Sequence, residues 1–158
     1  MLPRHYKPPK MPKYYIRPKG ALGALKGQPP AAEAEGLTGI VQGQEASDLE
    51  ERWGNSLEKL KKQHSIESYS FKWDIPGAYE IPGQERTVDF LVYAGVKYPI
   101  EVDGDYAHRN QEEDDARDEI LNEILRLRGG YSDIIHVHED EISTPEESDT
   151  MAEKILLA

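Results

Sequence analysis

The chain contains no cysteine among its 158 residues, so disulfides and thiolate metal sites are excluded. Any metal would be held by oxygen or imidazole, which leaves mainly Mg²⁺-like chemistry. Long apolar runs are also missing. None approaches the roughly 18 residues needed to cross a bilayer, and the first residues lack the apolar segment of a secretory signal. These absences predict a soluble protein with no membrane partner, cytoplasmic or otherwise intracellular, with a virion or other assembly as a further setting. Hydrophobic residues make up 37% of the chain, enough for one small core with appendages. Acids are missing from residues 1–30, which carry seven Lys or Arg. The remainder holds the other twelve bases against all thirty acids, a balance of −18. A body so acidic repels phosphates unless a metal ion or a basic arm intervenes.

Residues 1–46 show neither helical nor strand periodicity and read as a basic Pro/Gly-rich tail, disordered or ordered by a partner. Arg4, Lys7, Lys10, Lys13, Arg17 and Lys19, interleaved with Tyr6, Tyr14 and Tyr15, suit phosphate contacts and base stacking on a nucleic acid. An arm that docks on protein is the alternative. Residues 47–158 read as the folded domain. Ser47 with Glu50 forms a capping box, and Leu49, Trp53, Leu57 and Leu60 follow at near-helical spacing. SYSFKWDI, TVDFLVYA and KYPIEVDG read as strands, the last two joined across Gly95. AHRNQEEDDARDEILNEILRLRGG reads as a helix with an apolar stripe of Ile120, Leu121, Ile124 and Leu125, stopped by Gly129 and Gly130. YSDIIHVHE is a further strand. Thr144, Pro145 and Glu147 start a last helix bearing Met151, Ile155 and Leu156. The order helix, three strands, helix, strand, helix predicts an α/β fold with a mixed sheet.

Asp89 sits between Val88 and Phe90, and Glu101 between Ile100 and Val102, so each is an acid inside an apolar alternation. Whether the two meet depends on the parity of the connection. A two-residue loop at Ala94 and Gly95 puts them on opposite faces. A three-residue loop, Ala94 to Val96 with Gly95 left-handed, pairs Phe90 with Ile100 and Asp89 with Glu101. Opposed like charges are destabilising, so that register calls for a cation or a shared proton. Mg²⁺, or Mn²⁺ in its place, takes such oxygen ligands readily.

Across residues 47–142, about three-fifths of the chain, the pattern S-x-x-E, G-x-x-x-x-VDF, IEVDG, H and D-x-x-RD resembles the PD-(D/E)XK nuclease superfamily. It is most similar to the small single-domain members related to very-short-patch repair endonucleases. The resemblance implies a restriction-endonuclease-like core and a metal-dependent DNA endonuclease. It implies metal ligands at Asp89, Glu101 and the carbonyl of Val102, with a first-helix acid at Glu50 or its neighbour Glu51. Where that superfamily usually has Lys, two residues after the second acid, this sequence has Asp103. His108 stands four after Gly104, as in the very-short-patch type, and would act as general acid or base; a solvated loop histidine is the plainer reading. Arg117 falls on the buried stripe of its helix, three residues after Asp114. It would reach a scissile phosphate, lock to a site carboxylate, or pair locally with Asp114.

Three other signals carry less. Aligning the Asp103–Asp105 triplet on a calcium loop places Pro99 and Asn110 where acids are required. His136 and His138 share one strand face and read as an exposed face rather than a metal pair. GALGALKG follows no strand and opens no helix. The sequence therefore predicts a Mg²⁺-dependent endodeoxyribonuclease. The rival keeps the fold without the chemistry: an inactive structural or interaction module whose arm docks in a larger assembly. Oligomeric state is open.

Overall fold

The computed structural model describes residues 35–77, 87–104 and 111–157. The chain opens with two short strands, β1 (Ile40–Val41) and β2 (Gln44–Glu45), paired antiparallel. Their two-residue turn has Gln42 at φ 48° and Gly43 at φ 79°. Both positive angles belong to the turn whose twist suits a hairpin. Helix α1 (Asp48–Lys62) follows, then β3 (Ser68–Asp74), β4 (Thr87–Ala94), β5 (Val96–Asp103), α2 (Gln111–Arg128), β6 (Ile135–His138), a short 3₁₀ turn (Glu139–Glu141) and α3 (Pro145–Leu156). The four longer strands form one mixed sheet in the order β3-β4-β5-β6, antiparallel except for the parallel pair β5/β6. The fold is α/β, as the order of elements implies. No helix among the described residues is long and apolar enough to cross a membrane.

Local chemistry accounts for the helix ends. Ser47 accepts from the Glu50 N–H at 3.1 Å while Glu50 accepts from the Ser47 N–H at 2.9 Å, so both halves of the capping box are made. Thr144 accepts from the Glu147 N–H at 3.1 Å, with Pro145 opening α3. Gly129 and Gly130, both left-handed, end α2.

One face of the sheet presents Phe71, Phe90, Val92, Ile100, Val102 and Val137 to Trp53, Leu57 and Leu60 of α1 and to Ala152 and Leu156 of α3. Trp53 and Leu57 are fully buried, and each such burial stabilises by about 2–3 kcal/mol. On the other side, Leu121 and Leu125 of α2 pack with Ile75, Val88 and Ile134. Ile120, placed by periodicity on that buried stripe, is instead 39% exposed, and Ile124 is only partly covered.

The tail boundary expected at residue 46 moves. Residues 35–46 belong to the folded body: Val41 is buried against Gly54 of α1, where a Cβ would lie 3.3 Å from its Cγ2. Glu51 accepts from the backbone N–H of Thr38 and of Gly39, the latter at 2.6 Å. Arg52 holds both Glu35 and, at 2.8 Å, the carbonyl of Ile142. Gln42 and Gln44 hydrogen-bond the backbone of Tyr69 and Phe71. They thereby cap the open edge of β3, which would otherwise offer unpaired donors and acceptors to another chain. Arg4, Lys7, Lys10, Lys13, Arg17 and Lys19 lie outside the described residues.

Candidate metal and phosphate site

The β4/β5 ladder sets Phe90 opposite Ile100, Val92 opposite Tyr98 and Ala94 opposite Val96, with Gly95 at φ 80° between them. This is the register of the three-residue loop. One step further along it, Asp89 comes opposite Glu101. Backbone pairing between the strands is not continued at this step, and the Asp89 side chain takes over, its Oδ2 accepting from the Val102 N–H at 2.8 Å. Asp89 is 2% exposed. Its apolar neighbours in sequence hold it in the sheet, and the Val102 amide satisfies one of its two oxygens.

Glu101 lies beside it, its side chain 12% exposed. Burial, then the negative charge of Asp89, pushes the Glu101 carboxyl well above the usual carboxylate range, against the opposing pull of Arg117. Arg117 comes from α2, where its place on the buried side of the helix brings it over the sheet. Its Nη2 donates to Glu101 Oε1 at 2.9 Å and to the Thr87 carbonyl at 3.2 Å. Of the uses open to Arg117, the lock on a strand carboxylate is the one observed. The side chain of Asp114 lies outside the described residues.

The parallel strand β6 continues the polar face. Glu101 is in register with His136 and Asp103 with His138. His136 donates from Nδ1 to Asp103 Oδ2 at 2.6 Å and from Nε2 to Asp118 of α2. The bonds to Asp103 and Asp118 outweigh burial and push its pKa up to about 10, so it is an imidazolium at neutral pH. The expectation of an exposed histidine face is thus corrected: His136 is clamped between two carboxylates from two elements. His138 is more open, its Nδ1 4.0 Å from Asp103 Oδ2. The i, i+2 spacing of the histidines was visible in the sequence. The third party, Asp118, stands among the many acids of α2, and nothing in its local pattern sets it apart.

The first-helix acids are otherwise engaged. Glu50 accepts from the Ser47 N–H and Glu51 from residues 38 and 39, so both carry helix-start and hairpin contacts. His108 lies outside the described residues, as does Asp105. Among the described residues no three His, Asp or Glu side chains already stand as a metal-holding group. A polar cleft between α1 and α3, lined by residues including Arg52, Lys59 and Asp149, has these charges paired: Arg52 with Glu35, and Lys59 with Asp149 at 2.7 Å. No family model, curated protein or solved structure matches the chain.

Proposed function

We propose that the protein is a divalent-metal-dependent phosphodiesterase acting on DNA, built on a restriction-endonuclease-like core. The observation that carries this reading is the opposed pair Asp89, buried, and Glu101, 12% exposed at its side chain, where the β4/β5 ladder gives way to a side-chain contact. Two hard oxygen donors at that spacing suit Mg²⁺ or Mn²⁺, which need only one or two carboxylates and keep several waters. Asp89 and Glu101 would hold the ion, together with the carbonyl of Val102. When bound, it would orient a water and neutralise charge on a phosphate.

The chain's own groups do the rest. Val102 N–H fixes one oxygen of Asp89, and a side-chain hydrogen bond joins the Asp89 and Glu101 carboxyls, so a cation would take the place of the proton they share. Asp103 supplies no positive charge at the position usually held by lysine, but it grips His136, which brings an imidazolium from the next strand, in register with Glu101. His108 would act as general acid or base, and the basic residues of the arm would hold the DNA backbone. Mn²⁺ titration by calorimetry, with cleavage assays on plasmid and on nicked or mismatched duplexes, tests the reading. Metal binding with cleavage lost in Asp89→Asn and Glu101→Gln supports it; absence of both metal binding and cleavage in the wild type overturns it.

A second reading has one specific observation in its favour. Arg117 and His136 already engage Glu101 and Asp103 from within the chain. An inactive module of the same fold, docking through its arm on a larger assembly, would need no more. Gain of Mg²⁺-dependent cleavage on Asp103→Lys, from a wild type with none, would favour it.

A further inference from the structure

We propose that Arg117 is a displaceable internal cation: it holds Glu101 in the absence of a divalent ion and transfers to Asp118 when one binds. The inference rests on the metal-site reading above and concerns which group occupies Glu101 before metal arrives. A single nitrogen of the guanidinium, Nη2, makes both contacts to the sheet, to Glu101 and to the Thr87 carbonyl. The other terminal nitrogen, Nη1, lies 3.5 Å from Asp118 Oδ1, an ion-pair distance too long for a good hydrogen bond.

That Asp118 oxygen is the second observation. It is buried and accepts no hydrogen bond, which leaves its desolvation uncompensated. Its partner Oδ2 is held by His136, which is itself tied to Asp103 on β5. Asp118 is thus fixed relative to the sheet while keeping one oxygen without a donor, beside a guanidinium that currently serves another acid. A dication on Asp89 and Glu101 would stand next to the Arg117 charge at low local dielectric, where like charges repel strongly. Rotation about the side-chain bonds of arginine suffices to trade Glu101 for Asp118, without any shift of α2.

A ligand that must first expel an internal cation binds more weakly than it would to the bare acids. Arg117→Gln should therefore raise Mn²⁺ affinity, by about tenfold if one charge-assisted hydrogen bond is released. Asp118→Asn should lower it, because the displaced guanidinium loses its seat. In the double variant the Asp118→Asn effect should vanish, since no guanidinium remains to be reseated. Calorimetric Mn²⁺ titration of the full chain in the four forms reads all three. In the wild type, Mg²⁺ titration should shift the ¹⁵N guanidinium resonances of Arg117 over the range in which the ion binds, a measurement that needs no variant to fold. Equal or weaker Mn²⁺ binding by Arg117→Gln, an Asp118→Asn effect undiminished in the double variant, or unchanged guanidinium resonances at saturating Mg²⁺ would each overturn the exchange while leaving the metal site standing. Failure of every form to bind either ion would remove the metal site and the exchange together.

Discussion

On the face of the sheet turned to α1 and α3, Phe90, Val92, Ile100, Val102 and Val137 form a continuous apolar layer. Displaced by one residue along β5 and β6, the face turned to α2 presents Glu101, Asp103, His136 and His138. The same strands therefore serve two ends. The first face derives its stability from area and shape, which depend weakly on pH. The second assembles ionisable groups whose burial is tolerable only because Arg117 and His136 answer Glu101, Asp103 and Asp118. Such an arrangement makes a poor source of stability and a good place for a ligand of opposite charge.

The largest effect should come from the apolar face. Trp53→Ala should destabilise the domain by about 3–5 kcal/mol through lost transfer energy and the cavity left behind. Urea unfolding should give nearly the same loss at pH 6 and pH 9, with or without Mg²⁺. A loss that shrinks when Mg²⁺ is added would mean that the two faces are energetically coupled.

Next comes the pH dependence of the polar face. His136 has its pKa raised to about 10 in the folded chain, against about 6.5 unfolded. A raised value means that the folded state holds the proton more tightly. The stabilisation is therefore complete below about pH 6.5 and is lost as pH rises toward about 10. Measured against His136→Gln, the wild-type advantage in urea midpoint should shrink steadily from pH 6 to pH 10. An advantage that is flat over that range would show that the Asp103 and Asp118 contacts do not hold the proton.

Glu101→Gln should have a smaller effect on stability in the absence of metal, within about 1 kcal/mol. The raised carboxyl is already biased toward its neutral form, which glutamine imitates while still accepting from Arg117. A loss of about 3–5 kcal/mol would instead mark a structural ion pair whose partner had been stranded. The same substitution should abolish divalent binding, measured by calorimetry, so stability and metal affinity should separate at this residue.

How much of this was legible in the sequence divides along the same line. The capping box of Ser47 and Glu50, the glycine stop of α2 and the Asp89/Glu101 register depend on residues close in the chain or on strand parity, and pattern reasoning reaches them. The Gln42–Gly43 turn does carry a local signal, but strands of two residues provide no alternation to recognise, and the hairpin was absorbed into the tail. The His136 clamp depends on Asp118 of a preceding helix, eighteen positions away, and no periodicity within either element announces it. Ile120 went astray for a related reason: the apolar stripe of α2 is narrower than its sequence suggests, with Leu121 and Leu125 fully covered and Ile120 at its margin.

The smallest effect tests how rigid the apolar face is. Gly54 lies inside α1, and an alanine there should gain up to about 1 kcal/mol of helix propensity. Its added Cβ would meet Cγ2 and Cγ1 of Val41 at 3.3 and 3.4 Å and Cε1 of Phe90 at 3.6 Å. The Phe90 contact is ordinary; the Val41 contacts require the hairpin to move by a few tenths of an ångström. Overpacking of that kind costs about 1–3 kcal/mol in a well-packed core. Gly54→Ala should therefore lose about 1 kcal/mol net in urea unfolding, independent of pH. Because Val41 belongs to a two-stranded hairpin pinned by Glu51 and the glutamine contacts to β3, the Gly54→Ala loss should shrink in a Glu51→Gln background if those contacts resist the shift. A net gain of stability in Gly54→Ala would show that the hairpin yields freely, and that the rigid part of the apolar face ends at the four-stranded sheet and its helices.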